Sequence, residues 1–551
     1  MLGTRFYLYH YDKEGQMLWQ KKSPGIVWAV NVAANGKLLV AAFSDSTLRW
    51  FKLEDGSELL ALYPHIDQRR WVAWTPAGIY AASVGADTLL GWHVNNGPEQ
   101  AADFFPVRCL RELYYQPQTL IQVLTENSVP QTEANDAGIA ATLSEDKAVS
   151  PSKDEAIPTE DKAIPIPDTP KIFPPRVLLQ MPKDGDNFSN PEIELKYQLR
   201  FHGEPSPADL YLMVYGRPWR TIKATEQADP ASGQITVTLP QQEVEIALIA
   251  KNVHGVSPPE VALLDWKGKK PSRSVQPVLY VLSIGISDYT DETLGDLPFA
   301  REDAAMFTAM WKQQTKYYRK IKVKNLADSS YTEIMDSLAW LRQEVKPQDV
   351  VMVFFAGHSL QHQDTRKNSY FFLPANATPT SNTISTTMLI EAFSGIPSKV
   401  LLFMDTAYFN LLGVKSEELS SADIDGFANE LSSPENGIIV FSSVVGTQSS
   451  QTGEGGHHGI FTTVLLEALS GKADHNGDRQ LSLLEIGNYV SNRVSELTQG
   501  KQTPVLAIPE TMTDFFTVGT VVNSLSLKAI SMTEDQADGS AKSESTLPTS
   551  E

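Results

Sequence analysis

The first hundred residues alternate apolar and polar side chains in short runs, which is the period-two pattern of half-buried β-strands. The run AAFSDSTLRWFKLEDGSELLAL breaks at Ser44-Asp45-Ser46 and again at Asp55-Gly56, where the residue types favour tight turns. The preceding run, GIVWAVNVAANGKLLVAAF, has the same character. Residues 1–110 are therefore predicted to form a β-rich segment.

This β-rich segment resembles the blades of WD-repeat propellers, with Trp50 near the position of the tryptophan in that repeat. Only about two blades are present, which is too few to close a propeller. A truncated or partial propeller is the favoured interpretation, and a small independent β-sheet is the alternative.

A change in composition follows in residues 111–172. This stretch begins with the helical pattern of LRELYYQPQTLIQVLTEN, and from Glu126 to Lys171 it holds ten acidic and four basic side chains. Pro, Ala, Ser and Thr fill most of the rest, so little apolar surface is available to offset the entropy lost on ordering. We expect a helix and then a flexible acidic linker. The Ser-, Glu- and Lys-rich residues 523–551 are predicted to form a disordered tail.

Residues 173–268 return to strand-like runs at regular spacing, namely IELKYQLRF, ADLYLMVYG, GQITVTLP and VEIALIAKN. Gly, Pro and Asn separate these runs. Several short strands within one hundred residues predict an immunoglobulin-like β-sandwich, although the paired cysteines of antibody domains are absent.

The hydrophobic period changes in residues 275–522. The run VLYVLSIGIS is continuously apolar, as expected of a strand that is buried on both faces. Helical patterns then alternate with further apolar strands such as DVVMVFFAG and KVLLFMD. This alternation predicts an α/β domain with a mostly parallel sheet flanked by helices, whose ligands bind beyond the carboxyl ends of the strands.

Charge and cysteine content narrow the choice of function. The 551 residues include 46 basic and 66 acidic side chains, giving a formal charge of -20. Such an acidic chain is a poor nucleic-acid binder and is not expected on an anionic membrane. The single cysteine, Cys109, excludes an intrachain disulfide framework and a zinc site built from several thiolates. With no long apolar segment, we expect a cytoplasmic protein.

Two strand ends of the α/β domain carry candidate chemistry. His358 follows the apolar run VMVFFAG, and Asp405, Thr406, Ala407 and Tyr408 follow KVLLFM. A histidine at the mouth of a parallel sheet is a candidate general base, and a surface or structural histidine is the alternative.

Residues 275–522 resemble a caspase-like domain of the bacterial metacaspase and orthocaspase type. The resemblance rests on the order and spacing of SIGISDY, LPFAREDA, VMVFFAGHS, YFFLP, KVLLFMDT, ENGIIVFSS and HHGIFTTVLLEALSGKAD. The upstream pieces WVAWTPAGIYAAS and GWHVNNGPEQAADFFP look like the segment that precedes the peptidase in WD-repeat caspase-like proteins.

Active members of that family hydrolyse peptide bonds with a His–Cys dyad, and the resemblance assigns the histidine to His358. The cysteine position falls on Ala407, whose methyl group cannot attack a carbonyl. The protein is then either a natural pseudopeptidase with a binding, scaffold or regulatory role, or a cysteine endopeptidase whose nucleophile was replaced. Tyr408, Phe409 and Asn410 also depart from the family pattern, as does Ser359, and this favours natural loss. A purely structural multidomain protein is a third, weaker hypothesis.

The resemblance also implies an acidic specificity pocket that selects Arg or Lys. Asp405 matches one pocket acid, and Asp288 in SIGISDY is the candidate for a second. A carboxylate at the base of a cleft can pair bidentately with arginine. The expected partner is a protein or peptide with basic residues, or an active caspase-like paralogue. For Asp405, capping of backbone amides at the strand end is the alternative.

A candidate calcium loop follows the last apolar helix pattern. Read as a 12-residue EF-hand loop, it offers oxygen ligands at the spacing suited to a hard cation: Asp474, Asn476, Asp478, Gln480, Ser482 and Glu485. Arg479 occupies the sixth position, where glycine normally allows the sharp turn. Calcium binding and a plain polar turn both remain open, and no cofactor is required for the dyad chemistry.

Overall fold

The computed structural model describes residues 1–126, 173–203, 205–269, 276–364, 367–378, 380–408, 423–444, 458–512 and 516–522, without the side chains of 361–369 and 407–408. The predicted acidic linker and tail, and the departures at Phe409 and Asn410, lie outside the described residues. The chain divides into two compact units. One comprises Met1–Pro174 and Phe201–Glu204, and the other Pro175–Arg200 and Pro205–Glu551.

The first unit is built almost wholly of antiparallel strands. They are β1 (Leu2–Gly3), β2 (Tyr7–Tyr11), β3 (Met17–Lys22), β4 (Val27–Val32), β5 (Leu38–Phe43), β6 (Leu48–Lys52), β7 (Glu58–Pro64), β8 (Trp71–Trp74), β9 (Tyr80–Ala82), β10 (Gly91–Val94) and β11 (Asp103–Pro106). Strands β1–β3 form one sheet, β4–β9 a six-stranded meander and β10–β11 a hairpin. Helices α1 (Arg111–Tyr114) and α2 (Pro117–Glu126) follow. The N-terminal region is thus many-stranded sheet, and its likeness to propeller blades stays a prediction.

The second unit begins with two sheets of short strands. They are β12 (Arg176–Met181), β13 (Asn187–Phe188), β14 (Glu192–Arg200), β15 (Asp209–Val214), β16 (Arg217–Ile222), β17 (Ser232–Thr238), β18 (Val244–Asn252), β19 (Gly255–Val256) and β20 (Glu260–Trp266). One sheet has the order β12-β14-β17 and the other β13-β20-β18-β15-β16, with β19 paired to β18. We call residues 175–200 and 205–268 the sandwich segment, and its immunoglobulin-like character stays a prediction.

An α/β domain completes the second unit. Its strands are β21 (Val278–Gly285), β22 (Lys320–Ala327), β23 (Val350–Asp364), β24 (Lys367–Phe372), β25 (Ile384–Ser385), β26 (Lys399–Tyr408), β27 (Ile439–Ser442), β28 (Gln480–Ser482), β29 (Val505–Ala507) and β30 (Thr517–Thr520). Its helices are α3 (Ala300–Lys312), α4 (Tyr331–Glu344), α5 (Thr386–Ser394), α6 (Ile424–Leu431), α7 (Ile460–Glu467) and α8 (Leu483–Leu497). None of the helices in the described ranges is both long enough and apolar enough to span a membrane.

The main sheet of this domain has the order β22-β21-β23-β26-β27-β29. All neighbours are parallel except β29, which runs antiparallel to β27. All eight residues of β21 are buried, as the continuous apolar run predicts for a strand covered on both faces. The parallel strands therefore end together at one edge of the sheet, where the candidate residues lie.

Helices cover both faces of this sheet. On one face, α3, α7 and α8 bury apolar residues against alternate strand positions in a single core, in which Phe307 stacks on Phe354 and Phe403 on Phe441. On the other face, the ring of Tyr280 contacts that of Trp340 from α4. Helix α4 begins at a capping box, in which Ser330 accepts the backbone N–H of Glu333 and the Glu333 carboxylate accepts that of Ser330.

The sandwich segment is attached to the α/β domain by the turn between β15 and β16. Tyr215 and Gly216 both have positive φ, as a tight two-residue hairpin turn requires. The next residue, Arg217, is fully buried and donates to carbonyls of the α/β domain. A side chain at Gly437 would collide with the carbonyl of Gly216, so this contact needs glycine. The attachment lies at the amino ends of β26 and β27, opposite the candidate site.

Candidate active site

Strands β23 and β26 hold two of the predicted residues side by side, each within its strand and not beyond the strand end. In the parallel ladder between these strands, His358 is the register partner of Ala407. Partners in adjacent strands of one sheet project their side chains to the same face. The structure therefore brings together the backbone positions that the family pattern assigns to the base and to the nucleophile.

Hydrogen bonds fix the orientation of His358, which is 8% exposed. Its Nε2 lies 3.1 Å from the carbonyl oxygen of Gly295, and a carbonyl can only accept. Nε2 therefore carries the proton in the neutral ring, and the basic lone pair belongs to Nδ1. The arrangement is that of a histidine prepared to accept a proton through Nδ1.

Tyr289 contacts His358 through both its hydroxyl group and its ring. Its hydroxyl accepts the backbone N–H of His358 at 2.7 Å, and the two rings lie 4.9 Å apart. Burial raises the pKa of Tyr289 well above its usual value, so the hydroxyl stays neutral. A Cβ added to Gly357 would lie 2.9 Å from the Tyr289 hydroxyl. Glycine before the histidine is therefore a requirement of this close contact.

Thr406 is held on the opposite side of β26 from position 407, as the alternation of a strand requires. Its hydroxyl lies 2.6 Å from that of Tyr370, and Thr406 is buried. Burial raises the pKa of Tyr370 to about 12, so this pair stays neutral. Thr406 is therefore a packed polar contact of the sheet and does not replace the missing nucleophile.

Two buried carboxylates meet at the start of α7. A Cβ built on Gly459 would lie 3.0 Å from Oδ2 of Asp303 and 3.1 Å from Oδ2 of Asp405. Asp405 comes from the end of β26 and Asp303 from the first turn of α3. We call Asp303 and Asp405 the acidic pair. A side chain at position 459 would crowd both oxygens, so this close packing favours glycine.

Asp303 is buried, and polar groups of the chain surround its carboxylate. The backbone N–H of Gly459 donates to both of its carboxylate oxygens at 3.1 and 3.2 Å, and His458 Nδ1 lies 3.1 Å from Oδ1. Burial raises the pKa of Asp303 above the usual aspartate value, while His458 and the Gly459 N–H oppose that rise. Two carboxylates this close would favour a shared cation, such as a guanidinium, over mutual repulsion.

Asp288, the second acid predicted for the pocket, makes a different contact. Its side chain is 65% exposed and lies 2.9 Å from Arg301 Nη1, which also binds Asp328 at 2.7 Å. The residue beside Asp405 is Asp303, which the sequence analysis missed although it lies in the quoted piece LPFAREDA. A carboxylate in the first turn of the helix that follows β21 was the available signal.

The side-chain oxygen atoms of the candidate calcium loop accept hydrogen bonds from nearby groups of the same chain. Glu485 Oε2 accepts both the backbone N–H and the hydroxyl of Ser482, at 2.9 and 2.7 Å, in a capping box at the start of α8. Asp474 accepts the N–H groups of Gly477 and Arg479. Across the described ranges, no three His, Cys, Asp or Glu side chains are grouped so as to hold a metal ion.

Three other predicted calcium ligands of this loop, Asn476, Asp478 and Gln480, also form hydrogen bonds with one another. Asp478 accepts from Gln480, and Asn476 donates to Asp478. These oxygen atoms take part in capping and turn hydrogen bonds, and calcium binding by this loop stays a prediction. No step of the chemistry below passes through calcium.

Comparison with known proteins identifies the segment that carries this site. Residues 279–516 match the family model of the caspase domain. They contain His358, Ala407 and the acidic pair, and we call them the caspase domain below. This domain type is that of a family of cysteine peptidases. No curated protein is significantly similar to the chain.

Several solved structures are similar to parts of the chain. A Geobacter sulfurreducens protein has 16% identity and a TM-score of 0.32, over 44% of this chain and 94% of its own. Caspase-1 from Spodoptera frugiperda has 11% identity and a TM-score of 0.31, over 45% and 92%. A structure described as pro-sf-caspase-1 has 11% identity and a TM-score of 0.30, over 42% and 92%.

Proposed function

We propose that this protein is a catalytically inactive caspase-domain protein that binds a basic peptide segment as a scaffold or regulatory module. The observation that carries the proposal is the pairing of His358 with Ala407 in the register of the sheet. The base is present and oriented, and the residue beside it has no group that can attack a carbonyl.

Neither Thr406 nor Cys109 supplies a nucleophile at this site. Thr406 is engaged with Tyr370 on the other side of the strand. The only cysteine of the chain, Cys109, is buried in the first unit among Phe105, Leu110 and Phe173. Both facts support binding without cleavage.

The acidic pair supplies the binding chemistry. A guanidinium offers a fork of N–H donors, and two carboxylates separated by one glycine can accept from it on two sides. Because Asp303 and Asp405 are buried, a charged hydrogen bond to either is weakly screened by solvent. We infer that an arginine side chain, and less strongly a lysine, binds to the acidic pair.

The assignment to the metacaspase and orthocaspase type, and to the cytoplasm, rests on the sequence. The resemblance of the caspase domain to bacterial metacaspases and orthocaspases supports that type, and the single cysteine fits the cytoplasm. The WD-repeat-like segment and the immunoglobulin-like sandwich segment would serve as interaction domains. An active caspase-like paralogue is the regulatory partner that this arrangement suggests. Calcium is not required for any of these roles.

A binding experiment with matched peptides tests the proposal. We expect a fluorescent peptide with one arginine to bind the full chain at least about tenfold more tightly than its citrulline twin, which lacks the charge. Asp405→Asn should remove this preference, whereas Asp336→Asn, at an exposed position on α4, should retain it. Chromatography of the same mixtures should show no cleaved peptide. Equal affinity for both peptides, or release of product, would contradict the proposal.

Affinity for the arginine peptide is expected to fall as the pH is lowered from 7.5 to 5. The carboxylate form of Asp303 binds the cation, and its raised pKa moves protonation to a higher pH than for an ordinary aspartate. The contribution of Asp303 to folding stability has the opposite pH dependence. Because the pKa of this acid is raised in the folded state, the contribution favours folding at low pH and is lost as the pH rises.

Fluorescence anisotropy at the two pH values measures this dependence. Asp303→Asn should bind more weakly and lose most of the pH dependence, while Asp336→Asn should keep it. An affinity that is constant or higher at pH 5 would show that Asp303 does not contact the peptide.

The alternative is a cysteine endopeptidase that cleaves after Arg or Lys and whose nucleophile at position 407 was replaced by alanine. The orientation of His358 by the Gly295 carbonyl favours it, because a binding module has no need of a fixed tautomer. A cysteine at position 407 separates the two hypotheses.

A further inference from the structure

Strand β22 (Lys320–Ala327) is the outer strand of the main sheet in the caspase domain. All eight of its residues pair with β21 on one side, and no described residue pairs with it on the other. An edge strand presents a row of backbone N–H and C=O groups that another extended chain can join. The edge is therefore open to strand addition.

A lysine ladder, which we define as Lys320, Lys322 and Lys324, runs along one face of this strand. The period of a strand places the three on the same side, with neighbouring positions about 6.6 Å apart. Ile321 and Val323 point to the other face and pack against the core. The ladder is therefore a regular feature of the strand and not a random group of surface charges.

Aromatic rings hold two members of the ladder in place. Lys324 Nζ lies 4.6 Å from the centre of the Trp340 ring, and Lys322 Nζ lies 4.9 Å from that of Tyr280. Lys322 also donates to Glu344 at 2.6 Å and to the Tyr280 hydroxyl at 3.3 Å, which leaves one ammonium proton for another acceptor. Ordered ammonium groups lose less conformational entropy when a partner binds.

Local charge points to the chemistry of the partner. Residues 316–324 hold five basic and no acidic side chains, in a chain whose formal charge is -20. Opposite charges across neighbouring strands are stabilising and like charges are destabilising. The ladder thus disfavours pairing with another copy of β22 and favours an acidic strand. The net charge of the chain disfavours nucleic acid as the occupant.

We propose that β22 binds an extended acidic segment of a partner protein by strand addition, with carboxylates at alternate positions facing the lysine ladder. In an added strand, residues i, i+2 and i+4 lie on one face, so three alternating carboxylates match Lys320, Lys322 and Lys324. The backbone edge gives the strand its alignment, and the charge repeat gives it specificity. This surface is separate from the acidic pair and does not depend on the function proposed for that pair.

Three fluorescent peptides of equal length test the proposal on the full chain. The first alternates threonine and glutamate, the second has the same composition with its glutamates contiguous, and the third is the first with a central threonine replaced by proline. We expect the alternating peptide to bind at least about tenfold more tightly than the other two. Equal affinity for all three would overturn strand addition, because simple electrostatic attraction ignores both register and proline.

Charge reversal locates the site. The double variant Lys320→Glu with Lys324→Glu should weaken the alternating peptide at least about tenfold, and Lys501→Glu, at another exposed lysine of the same domain, should leave it within about twofold. The circular dichroism spectrum and the urea midpoint of each variant serve as the control for folding. A double variant that still binds the alternating peptide normally, or a single-stranded oligonucleotide that displaces the peptide more effectively than unlabelled peptide does, would overturn the proposal.

Discussion

If position 407 is a replaced nucleophile, Ala407→Cys is expected to give the caspase domain measurable cleavage after arginine, whereas the pseudopeptidase proposed above would bind the peptide without cleaving it. The new thiol would lie in register with His358, whose Nε2 is committed to the Gly295 carbonyl. Nδ1 is then the nitrogen that takes the thiol proton, and the resulting thiolate is the nucleophile. The acidic pair would position the arginine of the substrate.

The measurement is kcat/KM on a fluorogenic arginine peptide. Adding His358→Ala to the cysteine variant should lower it by about 10²- to 10⁴-fold, the usual contribution of a positioned base. Adding Asp405→Asn should raise KM because it removes a contact to the substrate. A folded cysteine variant that binds the arginine peptide but never cleaves it would show that more than the thiol has been lost.

These outcomes also distinguish the two hypotheses for position 407. Cleavage by the cysteine variant would place the whole catalytic defect at one atom, as an engineered or recent replacement requires. Binding without cleavage would indicate that the substrate-side loop has diverged as well, as expected of an established pseudopeptidase. Cleavage by the unaltered protein would contradict both and would require another nucleophile.

The sequence pattern was sufficient to predict the architecture of the α/β domain. Long apolar runs such as that of β21 are buried on both faces, and their alternation with helical patterns implies parallel strands. Parallel strands end at one edge, so His358 and position 407 could be placed at the same mouth from sequence alone. Their exact register was not predictable, because it depends on the pairing of β23 with β26.

Only one member of the acidic pair could be predicted from the sequence. Asp405 follows the apolar residues of β26 and could be predicted, whereas Asp303 lies in α3, 102 positions earlier in the sequence, and reaches the site through packing of α3 on the sheet. Asp288 is a pocket candidate only through the family resemblance of SIGISDY, and in the structure its carboxylate pairs with Arg301. Position relative to a strand end is a sound guide for residues on strands and a poor one for residues on neighbouring helices.

The calcium loop illustrates a second limit. Its spacing of oxygen-bearing residues is compatible with an EF-hand, but the same residue types also form turns and helix caps. In the structure, Glu485 closes the capping box of α8 with Ser482. Spacing alone does not show which of two local uses the oxygen atoms adopt.

The sequence pattern does not single out Arg217. Its substitution is nevertheless expected to have the largest effect on the free energy of unfolding. Nη1 donates to the carbonyls of Asn436 and Gly437 at 2.7 and 2.9 Å, and Nη2 to those of Phe393 and Ile396 at 2.8 and 3.0 Å. Burial lowers the pKa of Arg217 to about 9, so the guanidinium remains a cation at neutral pH. Among the described residues, no carboxylate forms an ion pair with it.

Four backbone carbonyl groups thus accept hydrogen bonds from the buried guanidinium of Arg217. Arg217→Met keeps most of the apolar stem but removes every donor, and so leaves buried carbonyls without their charged partner. We expect the free energy of unfolding to fall by about 3–5 kcal/mol, the usual cost of breaking a buried charged contact. Arg220→Met is the matched control, because Arg220 makes an exposed bond to the Thr236 carbonyl, and it should cost less than about 1 kcal/mol.

Urea unfolding followed by circular dichroism measures both variants on the full chain. The contact of Arg217 joins the sandwich segment to turns that precede β27 and follow α5, so its loss should also uncouple the two parts. We therefore expect Arg217→Met to split the unfolding of the second unit into two transitions, while Arg220→Met retains the transition of the unaltered protein. Similar midpoints for both variants would mean that apolar packing around the hairpin, and not the guanidinium, joins the sandwich segment to the caspase domain.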